Sequence, residues 1–230
     1  MDVDQLDGYI MTDSVPSHWE NRCFSIIEII ITLAIIGIIA TATVPMIKKL
    51  TWNANRANGA SNMRQITLAY VLLLSEKNIS PATEAASIVS NAQPGQITDH
   101  IYAAILTKHR NDLSPKIFAW KSDKMVKTFV RTNKFPSTIL SKQTGQMADN
   151  FSNLPLSVHF FEVDPDVFNR RMSPSLVPVV CSRGLAIEPD GTFKLDPETG
   201  VFGDTGAFLG FLDGHVEWCD TADLATLNRH

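Results

Sequence analysis

The residue with the most unusual chemistry in this sequence is Glu28, the one charged residue in an otherwise apolar run, residues 24–47. A carboxylate in hydrocarbon costs a few kcal/mol, about 3 on insertion scales, so it is expected to have a function and a cationic partner. The preceding basic side chain, Arg22, is six positions away and lies on a different helical face. A new amino terminus created at Phe24 would supply the cation.

Asp213, Gly214 and His215 could form a catalytic or metal-binding group, because a carboxylate beside an imidazole is a common acid–base arrangement. Asp-Gly is also a residue pair that closes tight β-hairpins. No second histidine lies close in sequence, and there is no G-x-S-x-G or H-E-x-x-H motif. We therefore interpret Asp213 and Gly214 as a turn, and we expect the protein not to be an enzyme.

Carboxylates also cluster in the C-terminal third of the chain, where they could attract calcium. The candidate ligands are Asp190, Asp196, Glu198 and Asp204. Their spacing differs from that of an EF-hand loop. We interpret the segment as a surface loop and expect no metal ion or other cofactor, with calcium at these four positions as the alternative.

The three cysteines are too few for a disulfide framework or a zinc cluster, and none forms a C-x-x-C pair. Cys23 precedes the apolar run, whereas Cys181 and Cys219 lie in the C-terminal part. The latter two could form a disulfide if this part of the chain lies in an oxidising compartment.

The apolar run 24–47 is the clearest of the elements that must position these residues. It is longer than the minimum of about 18 apolar residues that is typical of a transmembrane helix, and as a helix it would extend about 36 Å. It is apolar on all faces, unlike a helix at the surface of a soluble core. It is too long for a signal peptide, and no small-residue cleavage site directly follows it. The sequence therefore predicts a transmembrane helix.

The start of this run resembles the processing site of type IV pilins and type II secretion pseudopilins, in which Phe24, Glu28 and Pro45 match the motif. The resemblance implies that a prepilin peptidase cuts before Phe24 and methylates the new amine. It also implies that Glu28 is needed for assembly and that Pro45 kinks the helix. The residue before the cut is normally glycine in this family, and here it is Cys23.

A second resemblance lies near the C-terminus, where GVFGDTGAFLGFLDGHVEW is similar to the signature of a large bacterial group of pilin-like proteins. That signature is a histidine, nine further residues and Asp-Gly. The histidine position is Gly203 here, so no role of that histidine is carried over. Residues 61–70, Arg183–Leu185 and Asp190–Phe193 match the same group.

The resemblance implies an α+β, pilin-like fold, in which a long N-terminal helix packs on a small antiparallel β-sheet. We expect a leader peptide at 1–23, a transmembrane helix at 24–47, its soluble continuation at 48–77 and a globular head at 78–230. Asparagines and a glycine at 53–59 predict a break in the helix. The apolar stripe that follows predicts a core-facing helix and consists of Met63, Ile66, Tyr70, Leu73 and Leu74.

Periodicity and turn signals predict the remaining elements. Helices are predicted at Pro81–Asn91 and Asp99–Arg110, and a loop at Gly145–Leu156. Strands are predicted at Ile117–Trp120, Lys127–Val130, Leu156–Val163, Leu176–Cys181, Ala207–Leu212 and His215–Cys219. Pro178 indicates a sheet edge, and Asp213-Gly214 predicts a two-residue, type I′ hairpin.

Charge distribution bears on partners and on topology. The net charge of -4 and pI near 5.8 argue against nucleic-acid binding. Basic residues concentrate in 108–142, and we interpret them as a solvated face, with a docking patch as the alternative. Lys48, Lys49 and the arginines after them would place the head in the cytoplasm by the positive-inside rule, whereas the processing motif implies the reverse. We follow the motif. Met11 is an alternative start to Met1.

Two functions are compatible with these features. The first is a structural subunit of a type IV pilus or type II secretion pseudopilus, placed in the bacterial inner membrane with its head outside the cytoplasm. Its expected partners are a prepilin peptidase, other pilin or pseudopilin subunits and membrane lipid. The alternative is a single-pass, membrane-anchored extracytoplasmic binding module. Glu28 favours the subunit, because a simple anchor has no need of a carboxylate in the membrane.

Overall fold

The structure is a computed structural model that describes residues 25–76, 81–89, 98–110, 112–161, 173–188 and 192–227. The chain divides into two compact units, Met1–Leu50 and Thr51–His230. The fold is α+β, as predicted, with a long N-terminal apolar helix that packs on a small antiparallel β-sheet. The predicted leader peptide, including Cys23, and also Phe24 lie outside the described residues.

Helix α1 extends over 50 residues, Ile26–Ser75, with Pro45 inside it. The break predicted at 53–59 does not occur. From Gly59 onward, residues of α1 are buried in the second unit, and this packing outweighs the weak helix propensity of the asparagines. The helix ends within two residues of the predicted end at Lys77.

The second half of α1 forms the centre of the core of the second unit, Thr51–His230, which we call the head. The predicted stripe is confirmed, since Met63, Ile66, Tyr70 and Leu73 are buried and Leu74 is partly buried against the same core. Tyr70 contacts the rings of Tyr102 and Phe160 edge-on at 5.5 and 5.4 Å.

The sheet has four antiparallel strands in the order β1-β2-β5-β6, and a separate hairpin is formed by β3 and β4. The strands are β1 (Val158–Phe160), β2 (Pro178–Ser182), β3 (Leu185–Ile187), β4 (Phe193–Leu195), β5 (Ala207–Phe211) and β6 (Val216–Cys219). The register is set by pairs such as Cys181 with Leu209 and Leu209 with Glu217.

Both faces of the four-stranded sheet are covered. On one face Phe208 contacts α1, and an added Cβ at Gly210 would lie 2.1 Å from Thr67 Oγ1, so glycine permits the close approach of α1 to β5. On the other face a smaller cluster includes Leu209 and Leu224 and is joined by the β3–β4 hairpin. This double burial explains why every residue of β5 is buried.

The other helices are short, and two of them lie where strands were predicted. They are α2 (Pro81–Ile88), α3 (Asp99–His109), α4 (Pro115–Phe118), α5 (Lys124–Thr132), α6 (Asp149–Ser152) and α7 (Thr221–Leu227). The predicted strands Ile117–Trp120 and Lys127–Val130 are wrong, because the first overlaps α4 and the second lies inside α5. The predicted loop Gly145–Leu156 contains α6.

Pro178 does not mark a sheet edge. It is the first residue of β2, a strand paired on both sides, and a register shift lies between Pro178 and Val180. Proline has no N–H to donate to a neighbouring strand. The first residue of a strand, next to a register shift, does not need this hydrogen bond, so Pro178 is accommodated there.

Candidate functional site

Glu28 lies in the first turn of α1, in a segment whose side chains are all exposed from Ser25 to Leu50. Large apolar residues there are well exposed, for example Ile30 at 60% and Ile38 at 70%. The segment is long and apolar enough to cross a membrane. Exposed apolar surfaces of this size are typical of segments that contact lipid or other proteins.

The Glu28 carboxylate has no hydrogen-bond or ion-pair partner among the residues that the structure describes. The nearby threonine hydroxyls donate to backbone carbonyls of their own helix, as Thr32 Oγ1 does to the carbonyl of Ile29 at 2.8 Å. The segment therefore contains one unsatisfied acidic group on an otherwise apolar surface, so in hydrocarbon Glu28 needs a cation from outside these residues.

Asp213 and Gly214 form the β5–β6 turn, as predicted, although the turn type differs. The Gly214 N–H donates to the Phe211 carbonyl, and the Phe211 N–H donates to the His215 carbonyl, which closes a loop of three residues. Gly214 has φ of 88°. This is the three-residue hairpin with a left-handed glycine, rather than the predicted two-residue type I′ turn.

The Asp213 carboxylate supports this turn. It accepts a hydrogen bond from the backbone N–H of His215 at 3.0 Å, and this bond, followed by the His215 ring, lowers the pKa of Asp213. The His215 ring stacks on Phe211 with centroids 4.3 Å apart. Both polar groups are therefore engaged within the hairpin.

We expect Gly214→Val to destabilise the head by about 1–3 kcal/mol, because valine resists a positive φ. Its Cβ would also lie 2.8 Å from Leu68 Cδ2. His215→Ala is the control and should leave the stability of the head nearly unchanged, since the ring is partly exposed. Urea unfolding followed by tryptophan fluorescence measures both. Equal losses in the two variants would contradict a purely conformational role for Gly214.

The acidic segment around Asp196 is organised by backbone hydrogen bonds. The Asp196 carboxylate accepts from the Glu198 N–H at 2.9 Å and from the Thr199 hydroxyl at 2.6 Å. The hydroxyl bond is the main cause of a lowered pKa of Asp196. No group of three His, Cys, Asp or Glu residues that could hold a metal ion occurs in the described ranges, and Asp190 lies outside them.

Cys181 and Cys219 are free and buried, which corrects the possible disulfide. They lie on β2 and β6, with β5 between them. Two strand spacings separate them by about 10 Å, beyond the ~7 Å limit for a disulfide. Burial raises the pKa of the Cys219 thiol to about 12 and raises the pKa of Cys181 well above its usual range, so neither is a ready nucleophile.

A buried polar network that was not predicted from the sequence surrounds Asp123, whose side chain is 1% exposed. Arg183 Nη2 donates to Asp123 Oδ1 at 2.6 Å, and Ser157 Oγ donates to Asp123 Oδ2 at 2.7 Å. The same carboxylate caps α5 by accepting from the Met125 N–H at 2.9 Å. The carboxylate is therefore satisfied by three donors.

The network joins four parts of the head. Arg183 also donates to the carbonyls of Leu156 and Thr199, at 2.7 and 3.0 Å. Ser157 Oγ accepts from the Trp120 N–H at 2.9 Å. Arg183 belongs to the Arg-Gly-Leu match noted in the sequence, and Asp123 precedes α5 as an N-cap residue should. Those were the two signals that could have revealed the network.

Comparison of the chain with family models, with curated proteins and with solved structures returned no match. The candidate site is therefore defined by geometry. It consists of the exposed apolar first half of α1, in which Glu28 has no partner among the residues that the structure describes. The second half of α1 forms the centre of the core of the α+β head.

Proposed function

We propose that this chain is a pilin-like structural subunit that inserts in the bacterial inner membrane through the first half of α1. A prepilin peptidase trims it before Phe24 and methylates the new amine. The subunit then assembles, through its apolar helix, into a filament of the type IV pilus or type II secretion pseudopilus kind, with its head outside the cytoplasm.

The Glu28 carboxylate, which has no partner in the described part of the chain, carries this proposal. A buried charge becomes tolerable in hydrocarbon when an opposite charge lies close to it. The amine of a trimmed Phe24, on the same or a neighbouring subunit, is the cation that the processing motif would create. Between subunits, this pair would fix the axial offset of one helix against the next.

Small residues in the same segment support helix–helix packing. Ala34, Gly37 and Ala40 follow one another at spacings of three residues and so lie on roughly one helical face. No atom lies within 4 Å of a Cβ added at Gly37, so the face is open. Small residues permit the close approach of helices in a membrane.

The alternative is a membrane-anchored binding module, in which α1 serves only as an anchor. A basic hollow on the head, described below, favours some binding role. An anchor gains nothing from Glu28, however, so the two functions differ in what happens when this residue is replaced.

We expect the mature protein to begin at methylated Phe24. Intact-mass analysis and N-terminal sequencing of the protein from membranes of cells with a prepilin peptidase provide the measurement. The same protein from cells without the peptidase is the control and should retain its leader. A retained Met1 or Met11 in both cell types would contradict processing and favour the anchor.

A further inference from the structure

The head has an open hollow of about 480 Å³ between α4 and α5. Its apolar floor includes Ala119 and Val126, which are buried, and Val130, which is 46% exposed. Volumes of about 300–1,000 Å³ are typical of ligand sites. The hollow is therefore large enough to receive one or two large apolar side chains.

The rim of this hollow is basic. Lys116 and Lys121 lie on the α4 side, and Lys127 and Arg131 lie one helical turn apart on α5. No acidic side chain is among its described lining residues. The rim is thus positive on both sides of an apolar floor.

These four cations have no ion-pair partner among the described residues, whereas two basic side chains in the preceding segment are paired. Lys108 pairs with Glu84 at 2.6 Å, and Arg110 pairs with Asp112 at 2.9 Å. Most of the surface of α5 is also unoccupied, since Val126 is its one fully buried residue. The positive charge of the rim is therefore free to meet an external anion.

We propose that this hollow is a docking site for an acidic peptide segment of a partner protein, with one large apolar side chain anchored on the Val126–Val130 floor. Carboxylates on either side of the anchor would pair with Lys116 and Lys121 on one wall and with Lys127 and Arg131 on the other.

The arrangement of charge favours a peptide over other anions. The basic side chains lie on two sides of the floor, so a chain with several carboxylates can pair with both sides, whereas a lipid or fatty acid carries its charge in a single head group. An open hollow also suits a side chain presented by an extended chain better than a long acyl chain, which needs an enclosed cavity. Electrostatic complementarity of this kind governs partner choice and association rate.

Binding is tested with the full chain in nanodiscs of zwitterionic lipid, with fluorescence polarisation as the readout. The probe is a labelled peptide with two glutamates on each side of one phenylalanine. Two control probes replace the phenylalanine by alanine or the glutamates by lysines. A single-stranded DNA oligonucleotide of equal charge is a third. We expect measurable binding of the first probe and at least about tenfold weaker binding of the others.

Three charge reversals locate the site. Lys127→Glu on α5 and Lys121→Glu on the opposite wall should each weaken binding of the peptide about tenfold. Lys142→Glu is the matched control, because it makes the same change in net charge at an exposed lysine outside the hollow, and it should have little effect. Because Lys121 lies outside α5, a loss in Lys121→Glu as well cannot result from a change in the structure of α5 alone.

The site is independent of assembly through α1, so the outcome does not depend on the proposed function. Equal binding of the phenylalanine and alanine peptides would overturn the role of the apolar floor. If Lys142→Glu and Lys127→Glu weaken binding of the peptide equally, the interaction is non-specific electrostatic attraction and the docking site is overturned. Tighter binding of the oligonucleotide than of the peptide would overturn the assignment to a protein partner.

Discussion

Replacing Glu28 with leucine is expected to abolish assembly while membrane insertion and trimming continue. Leucine removes the desolvation cost of a carboxylate in hydrocarbon, so insertion should be at least as efficient as in the unmodified protein. It also removes the group that would pair with the amine of Phe24 on a neighbouring subunit. The loss should be large, because one partner of a close ion pair would then remain unpaired in every contact.

Glu28→Gln and Thr32→Leu separate charge from polarity. Glutamine retains size and hydrogen bonding but not charge, so it should also fail to assemble. Thr32→Leu removes a polar group one turn away, whose hydroxyl bonds only to its own helix, and it should assemble normally. Crosslinking between neighbouring helices in membranes containing partner subunits is the measurement. Normal crosslinking in Glu28→Leu would remove the assembly role and move the anchor function ahead.

Replacing Arg183 with methionine is expected to destabilise the head by about 3–5 kcal/mol, because Asp123 would remain as a buried charge without its cation. Typical domains are stable by only about 5–15 kcal/mol, so this loss would be a large part of the total stability. The carbonyls of Leu156 and Thr199 would also lose their donor. Urea unfolding of the full chain, followed by tryptophan fluorescence, measures the effect.

Arg110→Met is the matched control for this prediction. It makes the same replacement at an arginine that forms an exposed ion pair with Asp112. Exposed ion pairs contribute little to the free energy of unfolding. The double variant Asp123→Asn with Arg183→Met should be more stable than Arg183→Met alone, since the unpaired charge is gone. If Arg183→Met and Arg110→Met unfold at the same urea concentration, the network does not stabilise the head.

Where local signals and tertiary packing agreed, the sequence was sufficient to predict the fold. The stripe of Met63, Ile66 and Tyr70 fixed the core-facing side of α1, because an apolar period of this kind has one stable orientation. Asp213 and Gly214 located the β5–β6 turn, because few residue pairs accept its backbone geometry. The α+β class, which the family resemblance implied, is confirmed.

The errors arose in short segments, although Val126, Phe129 and Val130 have the i, i+3, i+4 spacing of a helix. The segment from Lys127 to Val130 resembles a strand by its β-branched and aromatic residues, yet it lies inside α5. The decisive signal is the cap: the Asp123 side chain accepts from the Met125 N–H, and Ser114 with Pro115 starts α4 in the same way. In helices this short, the capped first turn is a large part of the helix. Capping therefore outweighs the β propensity of Thr128, Phe129 and Val130, which depends on packing in a sheet.

The candidate site was only partly predictable, for a related reason. Glu28 stood out because its environment is local in sequence. The Asp123–Arg183 network joins residues 60 positions apart, and no period in the sequence links them. The basic hollow is lined by residues 116–135, inside the basic stretch 108–142, but strands were predicted there in place of α4 and α5. The possible bridge between Cys181 and Cys219 failed on the same ground, since the strand order that separates them is a tertiary property.

The deep burial of the second half of α1 has a mechanical consequence. Met63, Ile66 and Tyr70 are among the most buried side chains of the second unit. Pulling this part of α1 away from the sheet would therefore expose the core of the unit to water. Within this unit, the helix should resist extraction about as strongly as the unit resists unfolding.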